Sequence, residues 1–417
     1  MTDAAPGPEW DLLIHDAVRL DDAAPVSIGI RDGRIEAVSP TLDGHAAARI
    51  DARGGLVTPS FVDPHFHIDK VLSRDLLGAR GPQEALDRAR EAKIHFTVAD
   101  VEERASTALR LAAAHGIGRL HAQIDVDFAT RLVSFEGVMR ARDRFAGVVD
   151  VTLVAFPQEG IVADPEAPAL LREALGMGAA AVGGLPEVEA SVEDQRTHVE
   201  TVLDLAAEFD VGVEMHADYM DRAELKTLEM LAEATVAHGM QGRVVASHCN
   251  ALAVYPDGEA TRVIDKVLDA DMAVTVLPIA NLQMLGGEGR TPQNRGSSRV
   301  KEMLDAGINV AAGADNMYDI WYRFNRMDPV ELAYMTVHSA GMRLDEEVRE
   351  GFEMVTTRAA KIIGAPVPEV AAGSPADLVV FEATNLVDVL RRLPGRRIHI
   401  KSGRQVGGIE GSHWAAV

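Results

Sequence analysis

One feature constrains this chain more than any other. From about Pro59 to Gly364, short and almost continuously apolar runs alternate with amphipathic ones. The apolar runs are "GLVTPSFVDPHFH", "RLHAQIDVD", "VDVTLVAFPQEG", "AAAVGGL", "VGVEMHAD", "RVVASHCN", "MAVTVLP" and "INVAAGAD". Strands buried on both faces read this way, because helices cover a parallel sheet on either side. Nearly every run is followed by a helical pattern, most clearly "VEERASTALRLAAAHG", "PALLREALGMG", "HVETVLDLAAEF", "ELKTLEMLAEATVAHG" and "ATRVIDKVLDAD". Eight such units have the size and pattern of a (β/α)8 TIM barrel. The alternative is a doubly wound open sheet, but no glycine-rich dinucleotide fingerprint opens the first unit. Hydrophobic residues make up 47% of the 417 residues and aromatics only 5%. That balance suits a large α/β interior of small aliphatic side chains better than a β-sandwich.

Before and after this zone the pattern changes. "DLLIHDAVRL", "VSIGIRDGRIEAV" and "ARIDARGGLV" near the start, and "ADLVVFEA" and "RRIHIKSGRQVGG" near the end, read as strands, with Asp32-Gly33 as a hairpin turn. The expected organisation is an α/β protein with two parts. Residues 59–364 form the barrel. Residues 1–58 and 365–417 pair into a small β-sandwich-like domain built from both chain ends.

The formal net charge of -23 excludes several roles. An acidic surface repels phosphate backbones, so a small-molecule substrate is expected and no nucleic acid. The single cysteine, Cys249, forbids an intrachain disulfide or a thiolate metal cluster and reads as a buried inert thiol. The polar start of the chain lacks the regions of a signal peptide, and no apolar run approaches the roughly 20 residues of a membrane span. A cytoplasmic homo-oligomer without membrane attachment is expected.

In a barrel, active sites are built at the C-terminal ends of the strands. Strand one ends in His65-Phe66-His67, strand five in His216, strand six in His248 and strand eight in Asp315. A lone histidine at a strand end is ordinarily a hydrogen-bonded core or rim residue. The pair His65/His67 is more informative, since two-residue alternation puts both rings on one side of the strand. His216 and Asp315 can then close a shell around one divalent cation. Imidazoles with one carboxylate suit Zn2+ or Fe2+ better than magnesium or calcium.

Several stretches carry a family likeness. "VTPSFVDPHFHIDK" resembles the strand-one signature of the amidohydrolase superfamily, and within it the cytosine deaminase branch, including the N-isopropylammelide hydrolase type. "IDVD", "VAFPQEG", "AVGGLPEVE", "MHAD", "ASHCNAL", "RVKEMLDAGINVAAGADNMYDIWY" and "GSPADLVVF" agree in order along almost the whole chain. The resemblance implies His65, His67, His216 and Asp315 as metal ligands, His248 as a group that polarises the scissile centre, and Gln158 as a contact to a ring or amide edge. Two positions depart from cytosine deaminases. Tyr219 stands where they carry a proton-shuttling glutamate, and Gln123 where they carry a histidine. Lys70, in "HIDK", looks more like the ammelide type. Both departures point to a changed substrate pocket.

A bound divalent cation lowers the pKa of its water from about 15.7 toward roughly 7. Asp315 can carry the water proton to a leaving nitrogen, and His248 can stabilise charge at the tetrahedral carbon. Asp218 or Tyr219 is a further proton or hydrogen-bond source, with Tyr219 equally readable as a rim aromatic. Trp321 and Tyr322 read as pocket wall or as core. The acidic run Glu187 to Asp194 reads as solvated surface. The expected activity is hydrolysis of a C–N bond in a small nitrogen heterocycle such as a pyrimidine or triazine. The alternatives are hydrolysis of a cyclic or linear amide, urea or carbamate at the same centre, and a non-catalytic ligand-binding barrel.

Overall fold

A computed structural model describes residues 9–73, 82–285, 298–319, 321–322, 324–393 and 395–410. The polar residues 1–8, on which the signal-peptide reading rested, lie outside the described residues. The chain opens with four strands, β1 (Trp10–Arg19), β2 (Asp22–Arg31), β3 (Arg34–Ser39) and β4 (Ala46–Pro59). The turn between β2 and β3 is Asp32-Gly33, with φ of 49° and 73°. Both values are positive, as a tight turn matched to the strand twist requires.

Eight parallel strands follow: β5 (Phe61–Phe66), β6 (Ile117–Asp125), β7 (Asp150–Phe156), β8 (Ala181–Gly184), β9 (Gly212–Ala217), β10 (Val244–His248), β11 (Ala273–Val276) and β12 (Val310–Ala312). They pair in chain order as one sheet. Its first and last strands meet at the carboxyl end, where Phe66 bridges Asp315. Two backbone hydrogen bonds make that seam, from His67 N to Asp315 O (2.7 Å) and from Asp315 N to His65 O (2.9 Å). The sheet therefore closes as a TIM barrel. The expected helices lie between the strands, at Val98–His115, Ala167–Gly176, Val192–Phe209, Thr227–Ala237 and Asp257–Asp269. Thr97 and Ser191 cap two of them by accepting from Asp100 N and Asp194 N.

Three strands end the chain: β13 (Leu378–Phe381), β14 (Arg397–Lys401) and β15 (Arg404–Ile409). They join the first four in a second sheet, ordered β15-β14-β13-β4-β1-β2-β3. The run "GLVTPSFVDPHFH" is thus divided between two sheets. Val57, Thr58 and Pro59 pair with β13, and the barrel strand begins only at Phe61. Both segments are buried and apolar, so hydropathy alone does not mark the division.

Among the described residues, no helix is long and apolar enough to cross a membrane.

Candidate metal centre

The chain turns sharply as it leaves the barrel strands. His248, Cys249, Asp218 and Asp315 all have positive φ, between 50° and 70°. Non-glycine residues adopt this left-handed backbone at a cost of about 1–3 kcal/mol each, and such strain gathers at functional sites. Of these, His248 and Asp315 carry side chains into one cluster with His65 and His216.

Five side chains converge there. His67 Nε2 lies 3.3 Å from His216 Nε2 and 3.5 Å from Asp315 Oδ1. His65 Nε2 lies 3.6 Å from the same Asp315 oxygen. Donor atoms of His65, His216, His248 and Asp315 all fall within 4.8 Å of one another. Ligand atoms about 2.0–2.2 Å from a shared cation, at angles of about 90–120°, stand about 2.8–3.8 Å apart. The measured separations match that range. All five residues are buried, and His65 Nε2 and His248 Nε2 have no hydrogen-bond partner. Buried unpaired nitrogens are costly in a site that holds nothing. The donor set fits one divalent cation.

The electrostatics point the same way. Burial, then the neighbouring positive charges, hold His67 and His216 well below the usual imidazole range, so their lone pairs are free. Burial opposes charge on His65 too, but the Glu214 and Asp315 carboxylates outweigh it and raise that ring to about 9. Burial also raises the pKa of Asp315, yet the adjacent His65 ring and the His248 charge hold it below the usual carboxylate value. The cluster favours positive charge where the donors meet.

Residues 85–406 match the amidohydrolase family. The pterin deaminase of Rhizobium rhizogenes is 30% identical over 389 residues, 91% of this chain and 87% of the relative. The chain belongs to the amidohydrolase family. A second relative of this amidohydrolase is the N-isopropylammelide isopropyl amidohydrolase of a Pseudomonas species, 27% identical over 95% of this chain and 97% of the relative. In structure it resembles the 5-methylcytosine deaminase of Klebsiella pneumoniae liganded with 5-fluorocytosine. The TM-score is 0.90 and the identity 26%, covering 97% of this chain and 99% of that one. This amidohydrolase is therefore an enzyme of non-peptide C–N bonds.

Its surroundings contain residues that sequence reasoning missed. Glu214, 1% exposed, accepts from His65 Nδ1 (2.5 Å) and from Gln123 Nε2 (2.6 Å), with His121 Nε2 at 3.2 Å. A carboxylate on the far nitrogen fixes the imidazole tautomer and frees the near one for a cation. The signal was available, since Glu214 precedes His216 by two residues and shares its face of β9. Asp63 was also missed. Its Oδ1 accepts from His65 N and Ala314 N, both at 3.2 Å, across the barrel seam.

A chain of amides sets His248. The Tyr219 carbonyl can only accept, so Asn250 Nδ2 donates to it (2.7 Å). Asn250 Oδ1 then accepts from Asn281 Nδ2 (3.0 Å), and Asn281 Oδ1 from His248 Nδ1 (3.0 Å). The proton therefore sits on Nδ1 and the Nε2 lone pair faces the cluster. Burial, then the nearby His65 charge, lowers this ring to about 4.

Of the remaining candidates, Lys70 and Gln158 lie together, Nζ to Oε1 at 3.1 Å. Tyr219 sets its ring edge-on against His248, centroids 4.8 Å apart. Burial, then the Asp315 and Glu187 charges, raises its phenol pKa, so the hydroxyl stays protonated. Asp218 is spent on structure. One oxygen accepts from Leu228 N, the other from the Tyr255 hydroxyl (2.7 Å), and the Asp218 backbone N–H donates to Thr227 Oγ1 (2.7 Å). Trp321 stands on the loop after β12, half-buried against the barrel core, its backbone N–H donating to Asp319 Oδ1 (2.9 Å). Cys249 is buried, and burial followed by the Asp218 charge raises its thiol well above the usual value.

The acidic run read as solvated requires correction in its first half, while Ala190 to Glu193 are exposed as expected. Glu189 is 6% exposed and accepts from Ile161 N, Val162 N, Ala163 N and His198 Nδ1. Glu187 accepts from Tyr219 N (3.1 Å) and Thr227 Oγ1 (2.5 Å). The run crosses the barrel mouth just after β8, where unpaired loop N–H groups need acceptors. Charge pattern alone does not reveal that demand.

Proposed function

We propose that this amidohydrolase hydrolyses a C–N bond of a small nitrogen heterocycle carrying an exocyclic amine, a pyrimidine, triazine or pterin ring, and releases ammonia or an amine. The observation that carries the reading is the cation-sized gap lined by His65, His67, His216 and Asp315, with the unpartnered His248 Nε2 beside it. The names of the relatives, pterin deaminase and N-isopropylammelide isopropyl amidohydrolase, favour a ring substrate. The imidazole-rich donor set favours Zn2+ or Fe2+. When bound, that cation supplies Lewis-acid activation of water and of the scissile carbon.

The chain's own residues do the rest. Asp315 takes the proton of the attacking water and delivers it to the leaving nitrogen. His248 offers Nε2 as a proton acceptor and, once protonated, as a donor to the developing oxyanion. Tyr219 donates a hydrogen bond from its neutral hydroxyl. Asp218 holds the turn after β9. Lys70 and Gln158 contact the ring edge, and Trp321 walls the pocket. One ion per chain belongs to this reading. A second buried group, His67, Asp69 and Asp125, contains a carboxylate already neutralised by Lys70 and Lys93. A small-molecule substrate without nucleic acid, a homo-oligomeric assembly and a cytoplasmic location complete the reading.

A linear amide, urea or carbamate is the second reading. Tyr219 in place of a glutamate favours it, because an acyclic amide needs no ring protonation. The test is ammonia or amine release by metal-loaded enzyme from aminopyrimidines, aminotriazines, pterin and acyclic amides. Release from acyclic amides alone would overturn the ring reading.

A further inference from the structure

Lys70 grips the Gln158 amide by its oxygen. Its Nζ lies 3.1 Å from Gln158 Oε1 and 2.5 Å from Asp125 Oδ1. An ammonium group has donors and no acceptor, so it selects the oxygen of a carboxamide and turns the NH2 away. Gln158 Nε2 then has no partner among the described residues, although the side chain is only 6% exposed.

Lys70 has little freedom to let go. Asp125, its main partner, is held from behind by Lys93 (2.8 Å), and Lys93 is also paired with Asp127 (2.7 Å) and Glu159 (2.9 Å). Glu159 follows Gln158 directly and is gripped again by Arg90 (2.6 Å). The backbone and the oxygen of Gln158 are thus both anchored. Phe156, two residues earlier, sets this edge beside the metal centre. Its ring centroid lies 4.6 Å from that of His216 and 5.2 Å from that of His67, with Lys70 Nζ 5.7 Å over its face.

We infer that Lys70 locks Gln158 as a donor-only contact, so that the site takes a heterocycle whose edge presents an oxo group and disfavours an amino group in its place. A free carboxamide could flip and serve either edge. This one cannot flip without setting its NH2 against an ammonium. The inference rests on the heterocycle reading and adds to it the chemistry of the edge remote from the departing amine.

The test compares cytosine, with an oxo group at C2 and a proton on N1, and 2,4-diaminopyrimidine, with an amino group at C2 and no proton on N1. Binding to metal-loaded enzyme is measured by calorimetry, and ammonia release in parallel. Wild type should bind the oxo ring about 10- to 100-fold more tightly, the range expected when a desolvated donor faces a donor. Lys70→Met frees the amide and should reduce that ratio at least about tenfold, with metal content unchanged. Gln158→Glu replaces the donor by an acceptor that Lys70 still holds, and should reverse the preference. A Lys70→Met enzyme that loses affinity equally for both rings overturns the lock. If that variant does not fold, an unreversed preference in Gln158→Glu overturns it. Oxo preference without ammonia release keeps the lock and overturns the reaction. Ammonia release without preference keeps the reaction and overturns the lock. Binding of neither ring, together with no release from aminotriazines or pterin, overturns both.

Discussion

Asp315 is where geometry and chemistry separate most cleanly. Its Oδ1 lies 3.5–3.6 Å from His67 and His65, so it can both hold a cation and move a proton. Asparagine keeps an oxygen for the cation but carries no proton. Asp315→Asn should retain part of the metal and lose about 10²–10⁴-fold or more in kcat. A folded, metal-loaded variant with normal kcat would remove the residue from the chemistry. Glu214 makes the complementary case, since it touches no cation and orients His65. Glu214→Gln should weaken metal affinity about 10- to 100-fold while leaving the fold intact. Chelator competition measures this, and an unchanged affinity would show that His65 needs no such partner. The histidines and Asp315 were legible in the sequence because each ends an apolar strand. Asn281 and Glu189 were not, because their partners come from other strands and loops, and Glu214 showed its place on the His216 face of β9 but not its partner His65.

A buried ion pair helps bolt the end sheet to the barrel. Arg397, in β14, forks onto Asp328 at 2.7 and 2.8 Å and donates to the His115 carbonyl at 3.0 Å. Asp328 also caps the helix Pro329–Ser339 by accepting from Val330 N. Breaking one side of a buried pair leaves a charge uncompensated and costs about 3–5 kcal/mol. Asp328→Asn keeps the cap and should lose stability of that order in denaturant unfolding. The pH dependence follows from the direction of the shift. Burial raises the Asp328 pKa, but the Arg397 charge outweighs it and leaves the value below the usual one. A depressed carboxylate stabilises the fold above its unfolded pKa of about 3.9 and loses that contribution as pH falls through the folded value. The gap between wild type and variant should therefore be full at neutral pH and close below about pH 4. A gap that persists in acid would assign the loss to something other than this charge.

At the scale of the whole molecule, the barrel is a frame that brings residues 65 and 315 together by closing on itself. His67→Ala should lower metal content and activity in step, and elemental analysis of the wild type should find about one divalent ion per chain. An active enzyme without metal, or with two ions, would overturn the single-centre description. The amino-acid sequence by itself determined the alternation of buried strands and amphipathic helices, hence the barrel. It also determined which strand ends carry imidazoles, because both follow from local periodicity and from the rule that sites form at one end of the strands. The tertiary structure alone decided where β4 leaves the end sheet and β5 enters the barrel. It alone decided that Glu214 backs His65, that Asp218 is occupied by Thr227 and Tyr255, and that Lys70 turns Gln158. Those are pairings between residues distant in the chain. A buried polar group takes whichever partner the folded backbone brings within about 3 Å, and no local pattern encodes that choice.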